Sequence, residues 1–166
     1  MLFDPFYPDI EAPSAYTIDF TNLYSSGKKA IIFDIDNTLV PHGAPADERA
    51  KALFAKLHQL GFQTLLLSNN KEPRVKSFAD DVGSLYIYKA GKPGIYGYRK
   101  AMELLSSTPD TTVFIGDQLF TDIWGAKKAG ILTYLVKPIH PKEEIQIILK
   151  RRLEKIILFF YHHRKP

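Results

Sequence analysis

The chain has 166 residues, 45% of them hydrophobic, and a formal net charge of +4, which fits one domain able to bury a full core. It contains no cysteine, which excludes a disulfide framework, a thiol nucleophile and a thiolate metal site. Asp4 and Asp9 precede the first basic residue, Lys28, unlike a secretory signal, and the apolar run 156–161 is too short to span a bilayer; the expectation is a soluble, cytoplasmic protein.

Residues 1–29, with Pro5, Pro8 and Pro13 and many aromatics, read as an extended leader packed on the domain, with a short turn of helix at 20–24. The apolar run 30–33 reads as a strand buried on both faces. After a loop from Pro41 to Pro45, Asp47 can cap a helix reaching Leu60, with Leu53, Phe54, Leu57 and Leu60 on one face, and Gly61 ends it. A second strand follows at 62–67. Pro73 suits the first turn of the next helix, with Val75, Phe78 and Val82 inward. The third strand is 85–88, and Pro93 opens a helix with Ile95, Tyr98, Met102 and Leu105 inward. The fourth strand is 111–115, helix 120–129 stops at Gly130, and the fifth strand is 131–136. A long helix runs from Pro141 to about residue 161. Strand and helix alternate, so the fold is α/β: a parallel sheet with helices on both faces. No internal repeat, low-complexity tract or second domain is visible across 1–166.

The first strand ends in Asp34 and Asp36, followed by Asn37 and Thr38. Ligands in open α/β sheets sit at the carboxyl ends of the strands. Two carboxylates this close repel, and one pKa rises unless a cation lies between them. The pair therefore asks for a metal or a shared proton. Three further groups follow in order: Ser68-Asn69-Asn70 after the second strand, Lys92-Pro93 after the third, and Gly116-Asp117 with Thr121-Asp122 after the fourth.

These four groups, spanning Ile31 to Asp122, resemble the four motifs of the haloacid dehalogenase (HAD) superfamily of phosphohydrolases. The Gly-Asp-x-x-x-Thr-Asp form and short spacings resemble subfamily IIIA. Within it they look like the small bacterial YqeG-like branch, whose mitochondrial relatives are phosphatidylglycerophosphate phosphatases. The resemblance implies a three-layer, Rossmann-like (HAD-like) fold on a five-stranded parallel sheet. Its order would be 3-2-1-4-5, counting strand 30–33 as the first. Many HAD phosphatases insert a cap domain between the first two motifs or between the second and third. Here each interval holds only about one helix and one strand, so no cap is expected and the site should be open.

Phosphomonoester hydrolysis needs a nucleophile, an acid for the leaving oxygen and positive charge around the transferring group. By the resemblance, Asp34 is the nucleophile and forms an acyl-phosphate. Asp36 protonates the leaving alkoxide and then activates water. Mg²⁺ is the expected cofactor, held by Asp34, Asp117 and the main-chain carbonyl of Asp36. Ser68, the amide of Asn69 and Lys92 bind the phosphate. Thr38 holds the Asp34 carboxylate, and Gly116 lets the backbone approach closely. Asp122 supports the metal through water, orients Lys92, or is only a helix-face residue. Asn37 and Asn70 are site-edge residues that serve either substrate contact or turn chemistry.

Residues 137–166 hold eight Lys or Arg and three Glu, and the rest of the chain fourteen Lys or Arg and fifteen Asp or Glu. The basic excess thus lies in the tail, which hints at a surface or partner there. Ile145, Ile148, Leu149, Leu153, Ile156, Ile157 and Phe160 recur at helical spacing as one stripe on a basic amphipathic helix, 141–161. The stripe up to about Leu153 is expected to pack on the sheet. The excess at 156–161 points to a second subunit or to peripheral contact with the inner face of a membrane. The expected substrate is large or surface-bound, with a phospholipid such as phosphatidylglycerophosphate as first choice. Phosphatase action on nucleic-acid ends or phosphoproteins is the alternative, although a body without net positive charge suits nucleic acid poorly. A non-catalytic interaction module is the alternative of another class. Oligomeric state is open.

Overall fold

In a computed structural model describing residues 2–140 and 145–164, the apolar run that ends in two aspartates is a middle strand of the sheet. Six strands, β1 (Ile10–Ala12), β2 (Ala30–Phe33), β3 (Gln63–Leu67), β4 (Leu85–Ile87), β5 (Thr112–Gly116) and β6 (Leu132–Val136), pair in the order β1-β6-β5-β2-β3-β4. Every pairing is parallel. The five expected strands keep their expected order. The sixth is a correction: part of the leader adds an edge strand beside β6. Asp9 locks it there, since its carboxylate accepts from the amide and hydroxyl of Thr133, both at 2.9 Å.

The helices are α1 (Phe20–Ser25), α2 (Glu48–Leu60), α3 (Glu72–Val82), α4 (Ile95–Leu104), α5 (Trp124–Lys128) and α6 (Ile145–His162). Their ends follow the sequence signals. The Asp47 carboxylate accepts from the Ala50 amide at 2.8 Å, and Gly61 closes α2 in the left-handed region. Alternation along β2 sends Ile31 and Phe33 to the face covered by α1, α2 and α3, and Ala30 and Ile32 to the face covered by α4 and α5. The result is a three-layer sandwich. Only α2 lies between β2 and β3, and only α3 between β3 and β4, so no cap domain is inserted at either point.

The last helix departs from expectation. Its start at Pro141 lies outside the described residues, as do the side chains of 145–147. The residues that face the body are Arg151, Glu154, Ile157, Leu158 and Tyr161, while Ile148, Leu149, Leu153, Ile156, Phe159 and Phe160 are exposed. The described part of that stripe, Ile148, Leu149 and Leu153, therefore does not pack on the sheet. The inward side is taken by Arg151 and Glu154, which satisfy polar groups beyond the end of β5. Below them Ile157 joins Tyr7, Leu119, Ile123 and Leu135 in a small core. Among the described residues no helix is long and apolar enough to cross a membrane.

Candidate active site

Four strands end at one edge of the sheet, and the segment after each delivers a group singled out in the sequence. Lys92, in the loop after β4, is buried with its Nζ 2.9 Å from Asp34 Oδ1 and 2.8 Å from Asp122 Oδ1. Asn69 fixes that loop. Its Oδ1 accepts from the Lys92 amide at 2.8 Å, and its Nδ2 donates to the Lys92 carbonyl at 3.0 Å. Asn69 thus has a positioning task that sequence reasoning did not assign. Ser68 is buried, and its Oγ accepts from the Asn70 amide at 3.1 Å, so its own proton remains available to donate. It does not cap α3, whose N-cap is Lys71.

After β5 the chain makes a π-helical turn, Leu119–Ile123, where the sequence predicted plain helix. The wider turn aims Asp122 back over Gly116, as such turns often do at functional sites. Asp122 Oδ2 accepts from the amides of Asp117 at 3.2 Å and Gln118 at 3.1 Å, while Oδ1 takes Lys92. Of the three roles left open for Asp122, orienting Lys92 is the one this geometry displays. Thr38 donates to Asp117 Oδ1 at 3.0 Å and lies 3.5 Å from Asp34 Oδ2, so its main partner is Asp117 and not the expected Asp34. Asn37, with φ 61°, serves the turn and accepts from the His140 amide at 3.2 Å.

Arg151 was missed by sequence reasoning. From α6 its guanidinium donates to the carbonyl and Oδ2 of Asp117 and to Glu154 Oε2. Glu154 Oε1 accepts from the buried Leu119 amide at 2.9 Å. A lone arginine in a basic helix carries no spacing signal that could have revealed this.

Asp34, Asp117 and Asp122 are all buried, with one oxygen of each within 4.8 Å of the others. Burial, then the charge of Asp122, pushes Asp34 well above the usual carboxylate range, against the pull of Lys92. The same two causes push Asp117 up to about 6, against Arg151. Burial opposes the charge of Lys92, but Asp122 and Asp34 more than offset it and hold the ammonium charged. Three carboxylates face two cations, and the excess negative charge suits a hard divalent cation with oxygen ligands. Asp122 is committed to Lys92 and two amides, which leaves Asp34 and Asp117 as the carboxylates fit to hold a metal.

Asp36 lies in a different environment. Burial would raise its pKa, but the Gly43 amide at 2.7 Å, Arg74 at 3.0 Å and Asn70 at 3.1 Å hold it below the usual range. Arg74, on α3, is a second arginine missed in the sequence. Asn70 contacts Asp36 and so belongs to the site rather than to turn chemistry alone. Asp34, Asp36, Ser68, Asn69 and Lys92 line one polar cleft of about 240 Å³. A second, mostly apolar cleft of about 600 Å³ lies between α6 and the ends of β1 and β6, with Asp117 on its wall beside Ala12, Pro13, Leu135, Val136 and Leu158.

The family profile described as "Hydrolase: haloacid dehalogenase-like hydrolase" matches residues 44–130. The chain belongs to this family and is a phosphatase of the HAD superfamily. It is similar to "Probable phosphatase YqeG" of Bacillus subtilis (strain 168), with 35% identity over 92% of this chain and 90% of that protein. It is also similar to "Phosphatidylglycerophosphate phosphatase 1, chloroplastic/mitochondrial" of Arabidopsis thaliana, with 28% identity over 91% of this chain and 47% of that protein, about half its length. Among solved structures, 3-deoxy-D-manno-octulosonate 8-phosphate phosphatase of Moraxella catarrhalis superposes with a TM-score of 0.57 at 16% identity, covering 72% of this chain and 75% of that one. That likeness concerns the fold.

Proposed function

We propose that the chain hydrolyses a phosphate monoester through a phosphorylated Asp34, with Mg²⁺ as cofactor. The observation that supports this most directly is Lys92, buried and shared between Asp34 and Asp122. It fixes the carboxylate at the bottom of the polar cleft and supplies positive charge where a phosphoryl group would arrive. An Asp34 oxygen attacks phosphorus, the bond to the ester oxygen breaks, and the leaving alkoxide takes a proton from Asp36. Water then attacks the acyl-phosphate, with Asp36 accepting its proton, and releases phosphate. Ser68 donates its hydroxyl to a phosphoryl oxygen. Asp36 must first turn away from Arg74 and Gly43. Leaving Arg74 and meeting a phosphate dianion both raise its pKa, so that it can carry the proton. Mg²⁺ held by Asp34, Asp117 and the Asp36 carbonyl would neutralise charge on the transferring group.

The proposed substrate is a phospholipid head group of the phosphatidylglycerophosphate kind. The Arabidopsis relative bears that activity in its name. The two clefts share no lining residue, but Asp117 on the wall of the apolar one has an oxygen within 4.8 Å of Asp34 in the polar one, which puts an apolar surface near the catalytic carboxylate. Purified protein should hydrolyse p-nitrophenyl phosphate with Mg²⁺ and stop in excess chelator. Asp34→Asn should abolish turnover with the melting curve retained. Near-normal activity in that variant would refute the mechanism. Phosphatidylglycerophosphate in mixed micelles should be preferred over glycerol 3-phosphate and 3′-phosphorylated oligonucleotides; equal rates would remove the lipid assignment alone.

A further inference from the structure

We propose that the outward face of α6 is a docking surface for an anionic lipid bilayer. Leu149, Leu153, Ile156 and Phe160 are 59, 54, 52 and 49% exposed, and their spacing of four, three and four residues puts them on one side of the helix. Phe159 and Ile148 widen the stripe. The leader extends it, because Phe3 stacks on Phe160 at 5.7 Å between centroids and its neighbour Leu2 is exposed. Such a surface needs an occupant.

Charge selects among the candidates. Arg152 lies within the exposed stripe, and Lys150, Lys155 and Arg164 are also exposed. The only acidic residue of α6 is Glu154, which is buried and bound to Arg151 and the Leu119 amide. A second copy of the chain meeting this helix face about a two-fold axis would set cations against cations, with no exposed acid among the described residues of α6 to offset them. An anionic bilayer supplies the missing charge, while the apolar side chains enter the headgroup boundary and the arginine and lysines reach the phosphates. Glu154 and Ile157 belong to the protein interior, so the helix is not simply an appendage. On its inward side Arg151 reaches Asp117, which ties the docked helix to the catalytic edge of the sheet. The surface goes beyond the phosphatase reading and stands whichever phosphate ester the site takes.

The test is sedimentation of the full chain with vesicles of phosphatidylcholine, with and without phosphatidylglycerol, at low and high salt. Three proteins are compared: the native chain, Leu149→Gln/Leu153→Gln/Ile156→Gln, and Lys150→Glu/Arg152→Glu. The native chain should bind only the phosphatidylglycerol vesicles and release them in high salt, and each variant should weaken binding about tenfold or more. All the substituted side chains are exposed, so p-nitrophenyl phosphate hydrolysis and the melting temperature should not change. Should the apolar variant prove unstable, the charge variant still decides the matter. Failure of the native chain to bind anionic vesicles at low salt overturns the proposal. So does a native dimer that the apolar variant converts to monomer, since a second copy would then cover the face. Vesicle binding without hydrolysis would overturn the catalytic reading and leave the surface standing.

Discussion

At Gly116 the backbone must run hard against a side chain. A Cβ built there would stand 2.6 Å from Asp122 Oδ2 and 2.7 Å from its Cβ, well inside contact distance, so Asp122 would have to move. Moving it loosens two amide bonds and the Lys92 ion pair together. Gly116→Ala should therefore lower kcat about a hundredfold, the cost of displacing a catalytic group by roughly 1 Å, and destabilise by about 1–3 kcal/mol from overpacking. Normal kinetics in that variant would deny Asp122 its part in placing Lys92. Arg74 acts through charge instead. Its guanidinium favours the ionised form of Asp36, which must carry a proton to act as the acid, so Arg74→Gln should raise that pKa and shift the alkaline limb of the pH–rate profile upward. The carboxylates, the lysine and the serine were legible in the sequence because each follows a strand at a telling place. Arg74 and Arg151 were not, because a helix-borne arginine reaches its partner through tertiary packing that periodicity does not encode.

Two elements show the limits of pattern at the next scale. Three residues, Ile10 to Ala12, are too few to carry a strand signal, and β1 exists because β6 offers a free edge and Asp9 fastens to Thr133. In α6 the apolar period was read correctly, but its direction was not. A helix turns its apolar side inward only when nothing on its other side is worth more to the body. Here the Leu119 amide and Asp117 needed partners, and Glu154 and Arg151 supply them. Arg151→Ala would leave Glu154 and Asp117 short of a cation, and the loss of a partner in a mostly buried pair costs on the order of 3–5 kcal/mol. The metal-free variant should melt lower than the native chain. Mg²⁺ would then meet Asp117 without a competing guanidinium, so the rise in melting temperature on adding Mg²⁺ should be larger in the variant. An equal or smaller rise would show that Arg151 supports metal binding instead of competing with it.

For the whole molecule, the price of gathering carboxylates at one sheet edge should appear as a pH dependence of folding that the metal removes. Asp34 and Asp117 have folded-state pKa values raised by burial and by Asp122. A carboxyl that binds its proton more tightly when folded favours the fold at low pH, and that contribution is lost as pH rises through the folded value. For Asp117 the window runs from its ordinary 3.8 to about 6, and its full loss is on the order of 3 kcal/mol. Asp36 has the opposite sign: its lowered pKa adds stability above the ordinary carboxylate value, which is lost as pH falls through the depressed one. The two effects occupy separate ranges and can be told apart. The metal-free protein should thus lose melting temperature between about pH 4 and pH 6, as Asp117 gives up its proton. A divalent cation binds the deprotonated carboxylates, so it competes with that proton. Added Mg²⁺ should raise the melting temperature strongly at pH 7 and hardly at all near pH 4.5. Melting curves across this range, with Mg²⁺ and with chelator, check the prediction. A Mg²⁺-induced rise that is the same at every pH would mean that the cation binds somewhere other than Asp34 and Asp117.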